Sequence, residues 1–174
     1  MNKALFLDRD GVINKEVNYL YKIEDFIFID GIFELCKYYQ DLGYMIFVIT
    51  NQSGIARGYY NEADFNELTG WMIDEFLKEG INITKVYHCP HHPDISGYCE
   101  CRKPKDGMIK KAENEFDIDL KNSVLVGDKE SDITAAINAG IQESYIFDEK
   151  RVLKSSNATK IISKLEDIYS VDIK

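Results

Sequence analysis

A doubly wound, Rossmann-like α/β fold, a parallel sheet with helices on both faces, is predicted from two patterns in the sequence. Short apolar runs of strand length recur along the chain, and segments with apolar residues at helical spacing fill most of the gaps between them. Strands buried on both faces read as continuous apolar runs, and their alternation with helices is the mark of a parallel sheet. A third pattern says where the chemistry should lie. Each of the first four runs empties into a polar cluster, and a parallel sheet places the ends of its strands on one edge.

The elements follow in order. Ala4 to Leu7 is the first strand, and it stops on two carboxylates, Asp8 and Asp10, one residue apart. Ile32, Leu35, Cys36, Tyr39 and Leu42 repeat at helical spacing up to Gly43, so Cys36 reads as a buried core thiol. Met45 to Ile49 is the second strand, and the polar run Thr50-Asn51-Gln52-Ser53-Gly54 follows it. Asn61 can cap a second helix that carries Phe65, Leu68, Met72, Ile73 and Phe76 to a stop at Gly80. Lys85 to Tyr87 is a third strand, entering a Cys/His cluster that is left at Arg102-Lys103-Pro104. A helix over Gly107 to Phe116, a strand over Val124 to Val126 and a helix from Ser131 to Ala139 come next. Ser144 to Phe147, a short strand at Lys160 to Ile162 and a last helix from Ser163 complete the prediction.

A chain of 174 residues suits one domain spanning residues 1–174 and has no evident linker or repeat. No apolar stretch approaches the roughly 20 residues that cross a bilayer, so no membrane association is expected. The start Met1-Asn2-Lys3 has no signal-peptide pattern, and a cytoplasmic location is the expectation. A net charge of -9 disfavours nucleic acid as a partner. Small size and the lack of a long exposed apolar segment suggest a monomer.

The polar clusters gain meaning from convergence. On one sheet edge, Asp8, Asp10 and Asp128 would face Thr50 and Lys103. Carboxylates gathered this closely repel one another, and a hard divalent cation such as Mg²⁺ is their natural occupant. A lysine and a hydroxyl beside such a cation supply the charge and donors that a phosphoryl group needs. Cys89-x-His91, then seven residues, then Cys99-x-Cys101 offers three thiolates and an imidazole, a donor set for a closed structural Zn²⁺ in a loop over about residues 89–101. His88 and His92 are read as ordinary loop histidines.

Asp8-Arg9-Asp10-Gly11, Thr50, Lys103 and Gly127-Asp128 with Asp132 resemble, in order, the four motifs of the haloacid dehalogenase-like phosphatases. Within that superfamily, Asp8-Arg9-Asp10-Gly11-Val12-Ile13-Asn14, Thr50-Asn51-Gln52-Ser53-Gly54-Ile55-Ala56-Arg57-Gly58, Cys89-Pro90-His91-His92-Pro93 and Cys99-Glu100-Cys101-Arg102-Lys103-Pro104 resemble the zinc-containing heptose bisphosphate phosphatases. The resemblance runs from Leu5 to about Phe147. It implies Asp8 as nucleophile, Asp10 as general acid/base, and Thr50 and Lys103 as the phosphoryl grip. It implies Mg²⁺ held by the Asp8 carboxylate, the Asp10 carbonyl and Asp128, with Lys129 nearby, and Asp132 orienting that loop. It names Cys89, His91, Cys99 and Cys101 as zinc ligands.

The resemblance further implies a small-molecule substrate, D-glycero-D-manno-heptose 1,7-bisphosphate, which loses its 7-phosphate. Its contacts would be Glu16, Val17, Asn18 and Tyr19, the Asn51-Gln52-Ser53 run, Lys103, and Arg102 on the phosphate that stays behind. Val17 and Asn18 depart from the histidine and glycine that many relatives carry. The intervals from Asp10 to Thr50 and from Thr50 to Lys103 leave no room for a separate cap domain. Histidinol phosphate is the alternative substrate on the same chemistry, although Ser53-Gly54-Ile55-Ala56-Arg57-Gly58 looks like the heptose group. A zinc-stabilised binding protein without catalysis is the alternative from another class.

Overall fold

The computed structural model describes residues 1–170. Its sheet has six strands: β1 (Ala4–Leu7), β2 (Met45–Asn51), β3 (Ile83–Cys89), β4 (Val124–Gly127), β5 (Glu143–Phe147) and β6 (Lys160–Ile162). They lie in the order β3-β2-β1-β4-β5-β6, and every pairing is parallel. The helices are α1 (Ile32–Asp41), α2 (Glu62–Lys78), α3 (Pro93–Ser96), α4 (Gly107–Phe116) and α5 (Glu130–Ala139). Among the described residues, no helix is long and apolar enough to cross a membrane.

Strand periodicity splits the core in two. Leu5 and Leu7 of β1 face one way, into a cluster with Ile32, Leu35 and Cys36 of α1 and Leu68, Met72 and Phe76 of α2. Ala4 and Phe6 face the other way, onto Met108, Ile109 and Ala112 of α4 and Ile133, Ala135 and Ala136 of α5. Because side chains alternate across a strand, a run such as Ala4-Leu5-Phe6-Leu7 serves both layers only if every residue is apolar. All four are fully buried. Each large side chain so covered contributes about 1.5–3 kcal/mol.

Several boundaries differ from the expectation. β2 continues through Thr50 and Asn51, which pair with His88 and Cys89 of a longer β3. These polar residues sit at the emerging sheet edge and still complete the ladder. Asn61 caps α2 reciprocally with Asp64, as read. The short helix α3 has no strong periodic signal, and the His92 side chain caps it by accepting from the Asp94 amide. The last helix expected from Ser163 is instead a 3-10 turn at Leu165–Ile168, and its continuation over residues 171–174 lies outside the described residues. Leu165 alone of that turn is buried, too small an apolar face to hold an isolated helix of several turns.

The strand order reverses between β1 and β4. In sheets of this type ligands bind outside the strand ends at that reversal. Asp8 follows β1 and Asp128 follows β4, and the Asp8 amide still donates to the Val126 carbonyl at 3.1 Å.

Candidate active site

β1 delivers Asp8 to the floor of a cavity of about 460 Å³ and leaves it 6% exposed. Gly11 then turns the chain with φ of +91°, in the left-handed region that favours glycine. A Cβ there would lie 2.1 Å from Asp128 Oδ2, so glycine also allows the loops after β1 and β4 to touch. Val12, Ile13 and Asn14 all donate backbone amides to the Arg9 carbonyl, closing a tight turn under the two carboxylates.

Lys103 arrives from the segment that follows β3, two strands away from β1 in the sheet. Its Nζ is 2.8 Å from Asp8 Oδ1 and 2.6 Å from Asp132 Oδ1, and it donates to the Ile49 carbonyl at 2.9 Å. The side chain is only 3% exposed. Burial works against its charge, but Asp132 and Asp8 outweigh burial and hold the ammonium above its usual range. Asp8 shows the reverse balance: burial first, then Asp132, push its carboxyl up to about 6 despite Lys103. Asp128 is driven up to about 9, by burial and then by Asp8.

Asp8, Asp128 and Asp132 can present oxygens within 4.8 Å of one another. Their engagements differ. Asp132 Oδ2 accepts from the amides of Asp128 and Lys129 at 3.1 and 3.0 Å, and its other oxygen meets Lys103. Asp128 Oδ1 is buried with no hydrogen-bond partner among the described residues. An orphaned carboxylate oxygen facing a second carboxylate fits a hard cation, and Asp8 and Asp128 are the pair left to hold it. Lys129 is turned outward, with Nζ 3.2 Å from Glu16 across the mouth.

The cavity brings together Asp8, Asp10, Glu16, Val17, Asn18, Tyr19, Asn51, Gln52, Ser53, Arg102, Lys103 and Lys129. Thr50 lies outside this lining and is fully buried, its Oγ1 accepting from Gln52 Nε2 at 2.8 Å. Asn51 Oδ1 accepts from the Lys103 amide at 3.0 Å while its Nδ2 donates to the Lys103 carbonyl at 3.1 Å. This reciprocal clamp fixes the backbone from which the buried lysine extends. Tyr19 adopts φ of +56° and its ring meets Tyr59 edge-on, with the Arg57 guanidinium 5.9 Å above it. Arg102 donates to the His91 carbonyl at 3.2 Å, tying this candidate phosphate ligand to the Cys/His loop.

Arg9, Asn14 and Tyr60 were not legible as site residues. Arg9, flanked by two acids, looks like a solvated cation and is instead 1% exposed, with Nη2 3.0 Å from Asp10 Oδ1 and 2.9 Å from the Leu20 carbonyl. Asn14 Nδ2 donates to the same Asp10 oxygen at 3.1 Å. The Tyr60 hydroxyl donates to Gln52 Oε1, and none of the three residues falls on a helical or strand period, since all lie in the connections that follow β1 and β2.

Cys89, His91, Cys99 and Cys101 place their donor atoms within 4.8 Å of one another. Cys89 and Cys99 sulfurs are 3.7 Å apart, Cys89 and Cys101 sulfurs 2.8 Å, and His91 Nδ1 lies 3.5 Å from Cys89 and 3.3 Å from Cys101. A tetrahedral zinc with bonds of about 2.3 Å to sulfur has edges of about 3.8 Å, close to the Cys89–Cys99 spacing, while the Cys89–Cys101 pair is tighter than such an edge. Burial raises the Cys89 and Cys101 thiols above their ordinary value, whereas at Cys99 burial is outweighed by hydrogen bonds, that of the Arg102 backbone first, and the thiol is lowered. His88 instead pairs with Glu62 at 2.8 Å and stacks on Phe65, and His92 caps α3, so neither competes with His91.

Comparison with known proteins gives a consistent picture. A family model for HAD-hydrolase-like proteins matches residues 100–165. The chain is 57% identical over 149 residues to a D-glycero-alpha-D-manno-heptose-1,7-bisphosphate 7-phosphatase of Campylobacter jejuni, covering 86% of this chain and 84% of the relative. It is 50% identical to the alpha-named enzyme of Burkholderia mallei, covering 90% of this chain and 87% of that one. A beta-named counterpart from Helicobacter pylori is 48% identical, with 84% and 83% covered. A D,D-heptose 1,7-bisphosphate phosphatase from B. bronchiseptica, solved in complex with magnesium and phosphate, superposes with a TM-score of 0.85 at 28% identity, with 98% of each chain covered.

Proposed function

Since the chain belongs to the heptose bisphosphate 7-phosphatases of the haloacid dehalogenase-like superfamily, we propose that its cavity removes the 7-phosphate of D-glycero-α-D-manno-heptose 1,7-bisphosphate through a phosphorylated Asp8. The observation that carries the mechanism is the buried contact of Lys103 with Asp8 at 2.8 Å. A nucleophilic carboxylate must approach an anionic phosphoryl group, and a fixed ammonium offsets that repulsion without needing to reorganise. The α anomer is favoured because the alpha-named relative from C. jejuni stands at 57% identity against 48% for the beta-named one.

In the first step an Asp8 oxygen forms a bond to phosphorus in line as the bond from phosphorus to the sugar O7 breaks. Asp10 gives its proton to that departing oxygen. In the second step Asp10 takes a proton from water, the water oxygen bonds to phosphorus, and Asp8 leaves with release of inorganic phosphate. Lys103 and the Thr50 hydroxyl hold the equatorial oxygens, while Arg102 and the 16–19 segment hold the remainder of the substrate. Asp8, Asp128 and the Asp10 carbonyl, with Lys129 nearby, would hold Mg²⁺, which would supply charge neutralisation at the phosphoryl oxygens. The whole chain would act as one domain, with a structural zinc on Cys89, His91, Cys99 and Cys101 preorganising Arg102 and Lys103. The test is turnover on the two anomers with histidinol phosphate as control. A higher kcat/KM on the α anomer is expected, and preference for histidinol phosphate would overturn the assignment.

The displaced carboxyls make metal binding depend on pH. Asp8 and Asp128 are raised on folding, so the metal-free folded chain binds more protons than the unfolded one. Their stabilising share is complete below about pH 4, the unfolded value, and is lost as pH rises through about 6 for Asp8 and about 9 for Asp128. Magnesium competes with those protons. At a concentration 100-fold above its Kd at pH 8 it should add about 2.7 kcal/mol, or roughly 5–10 °C in Tm, and the same concentration should add less at pH 5. Thermal melts with and without the cation test this, and equal increments would count against the pair as its ligands.

About one zinc per chain is expected by metal analysis of protein purified without chelator. Cys101→Ser should lose it and should lower affinity for inorganic phosphate, because Arg102 and Lys103 follow directly on this loop. Less than about half an equivalent in the parent protein would remove the zinc from the account.

A further inference from the structure

Gln52 lines the cavity, yet its side chain has no capacity left for a ligand. Its Nε2 donates to Asp10 Oδ2 at 2.9 Å and to Thr50 Oγ1 at 2.8 Å. Its Oε1 accepts from Arg9 Nη2 at 3.4 Å and from the Tyr60 hydroxyl. A primary amide offers two hydrogens and one oxygen with two lone pairs, so all four positions are filled. The amide cannot be reversed, because the guanidinium of Arg9 is a donor only and must face the oxygen. Gln52 is 3% exposed.

We propose that Gln52 is a positioning residue for Asp10, setting the carboxylate that moves the proton, and is not a substrate ligand. The inference rests on the assignment of Asp10 as acid/base given above. Asp10 Oδ1 accepts from Arg9 and Asn14, and its Oδ2 accepts from Gln52 at 2.9 Å, a shorter contact than the 3.2 Å from Arg9 Nη2 to the same oxygen. Tyr60 closes the network from behind. A Cβ at Gly54 would come within 2.2 Å of Tyr60 Cε1, so the glycine keeps the space through which that ring reaches Gln52. The Tyr60 ring is itself stacked on Tyr21, with centroids 5.4 Å apart and planes within 11°. The same amide turns the Thr50 oxygen into an acceptor, which leaves the hydroxyl hydrogen for a phosphoryl oxygen.

The test separates proton delivery from every other step. A sugar alkoxide needs its proton as it leaves, whereas p-nitrophenolate does not. Acid/base assistance of this kind is worth about 10²–10⁴ in rate, and mispositioning should forfeit part of it. Gln52→Met should lower kcat on the heptose bisphosphate roughly 10- to 100-fold with KM held within about threefold. The pre-steady-state release of p-nitrophenol, which reports Asp8 phosphorylation alone, should fall by less than about threefold. Gln52→Glu keeps the shape and the acceptor but loses both donors, and it should give the same split if the methionine variant folds poorly. A rise in KM with kcat unchanged would make Gln52 a substrate contact, and equal losses on both substrates would make it structural support. Either overturns the proposal. Asp8→Asn run alongside keeps the two readings apart: nitrophenol release by that variant would refute the assigned mechanism itself, independently of Gln52.

Discussion

Asp8→Asn is expected to reduce turnover of the heptose bisphosphate by about 10⁴-fold or more while leaving the fold intact. The amide has nearly the shape of the carboxylate and can still accept from the Arg9 amide at 2.9 Å and from Lys103 at 2.8 Å. What it loses is the anionic oxygen that bonds to phosphorus. Removing one of three crowded carboxylates also relieves repulsion at Asp128, whose carboxyl is driven up by burial and then by Asp8. Thermal stability of the metal-free variant should therefore match or exceed that of the parent. Steady-state phosphate release and a melting curve check both parts. Activity within tenfold of the parent would refute the nucleophile, whatever happens to the melt.

Lys103→Met should be damaging in both respects. Among the described residues the ammonium is the one counter-charge within salt-bridge distance of Asp8 and Asp132, and all three side chains are less than 10% exposed. Truncating one partner of a buried pair typically costs about 3–5 kcal/mol, because the remaining charge is stranded. In a chain of this size that is a fall of roughly 6–20 °C in Tm. Activity should drop at least about 10²-fold, the scale for losing one preorganised charge donor at a reacting centre. Lys103→Arg should not restore it. The slot offers three acceptors, Asp8, Asp132 and the Ile49 carbonyl, around one compact ammonium, and a planar guanidinium does not fit that geometry. A stable, active methionine variant would place the phosphoryl grip elsewhere.

The sheet was legible because its strands are covered on both faces and so leave continuous apolar runs, of which Ala4 to Leu7 is the clearest. The convergence of Asp8, Lys103 and Asp128 was legible for the same reason: parallel strands end together. Strand ends were harder to read. Thr50 and Asn51 are polar yet belong to β2, since a strand emerging at the sheet edge keeps its ladder after its side chains stop being apolar. Burial of charge was not legible at all. Nothing in Asp8-Arg9-Asp10 distinguishes a solvated arginine from one that is 1% exposed and tied to Asp10, Gln52 and the Leu20 carbonyl. Tyr60 was equally hidden, because a lone tyrosine before a helix cap carries no period. The Asn51-Gln52-Ser53 run reads from sequence as a set of substrate contacts, and only three-dimensional contacts reveal that Asn51 spends its amide on the Lys103 backbone and Gln52 its amide on Asp10 and Thr50.

The strand order carries a consequence for how the molecule is made. β4 lies directly against β1 in space, yet the paired residues Leu7 and Val126 are 119 positions apart in sequence, so this pairing forms only after most of the chain exists. During synthesis the backbone of Ala4–Leu7 therefore waits as an open sheet edge, made of four apolar residues, until Val124–Gly127 emerges to cover it. The catalytic parts are assembled by that same late event, since Asp128 and Asp132 follow β4. A chain interrupted before about residue 124 would be both inactive and prone to self-association through this edge, so newly made molecules depend on rapid completion or on protection by chaperones in a way that the finished fold does not.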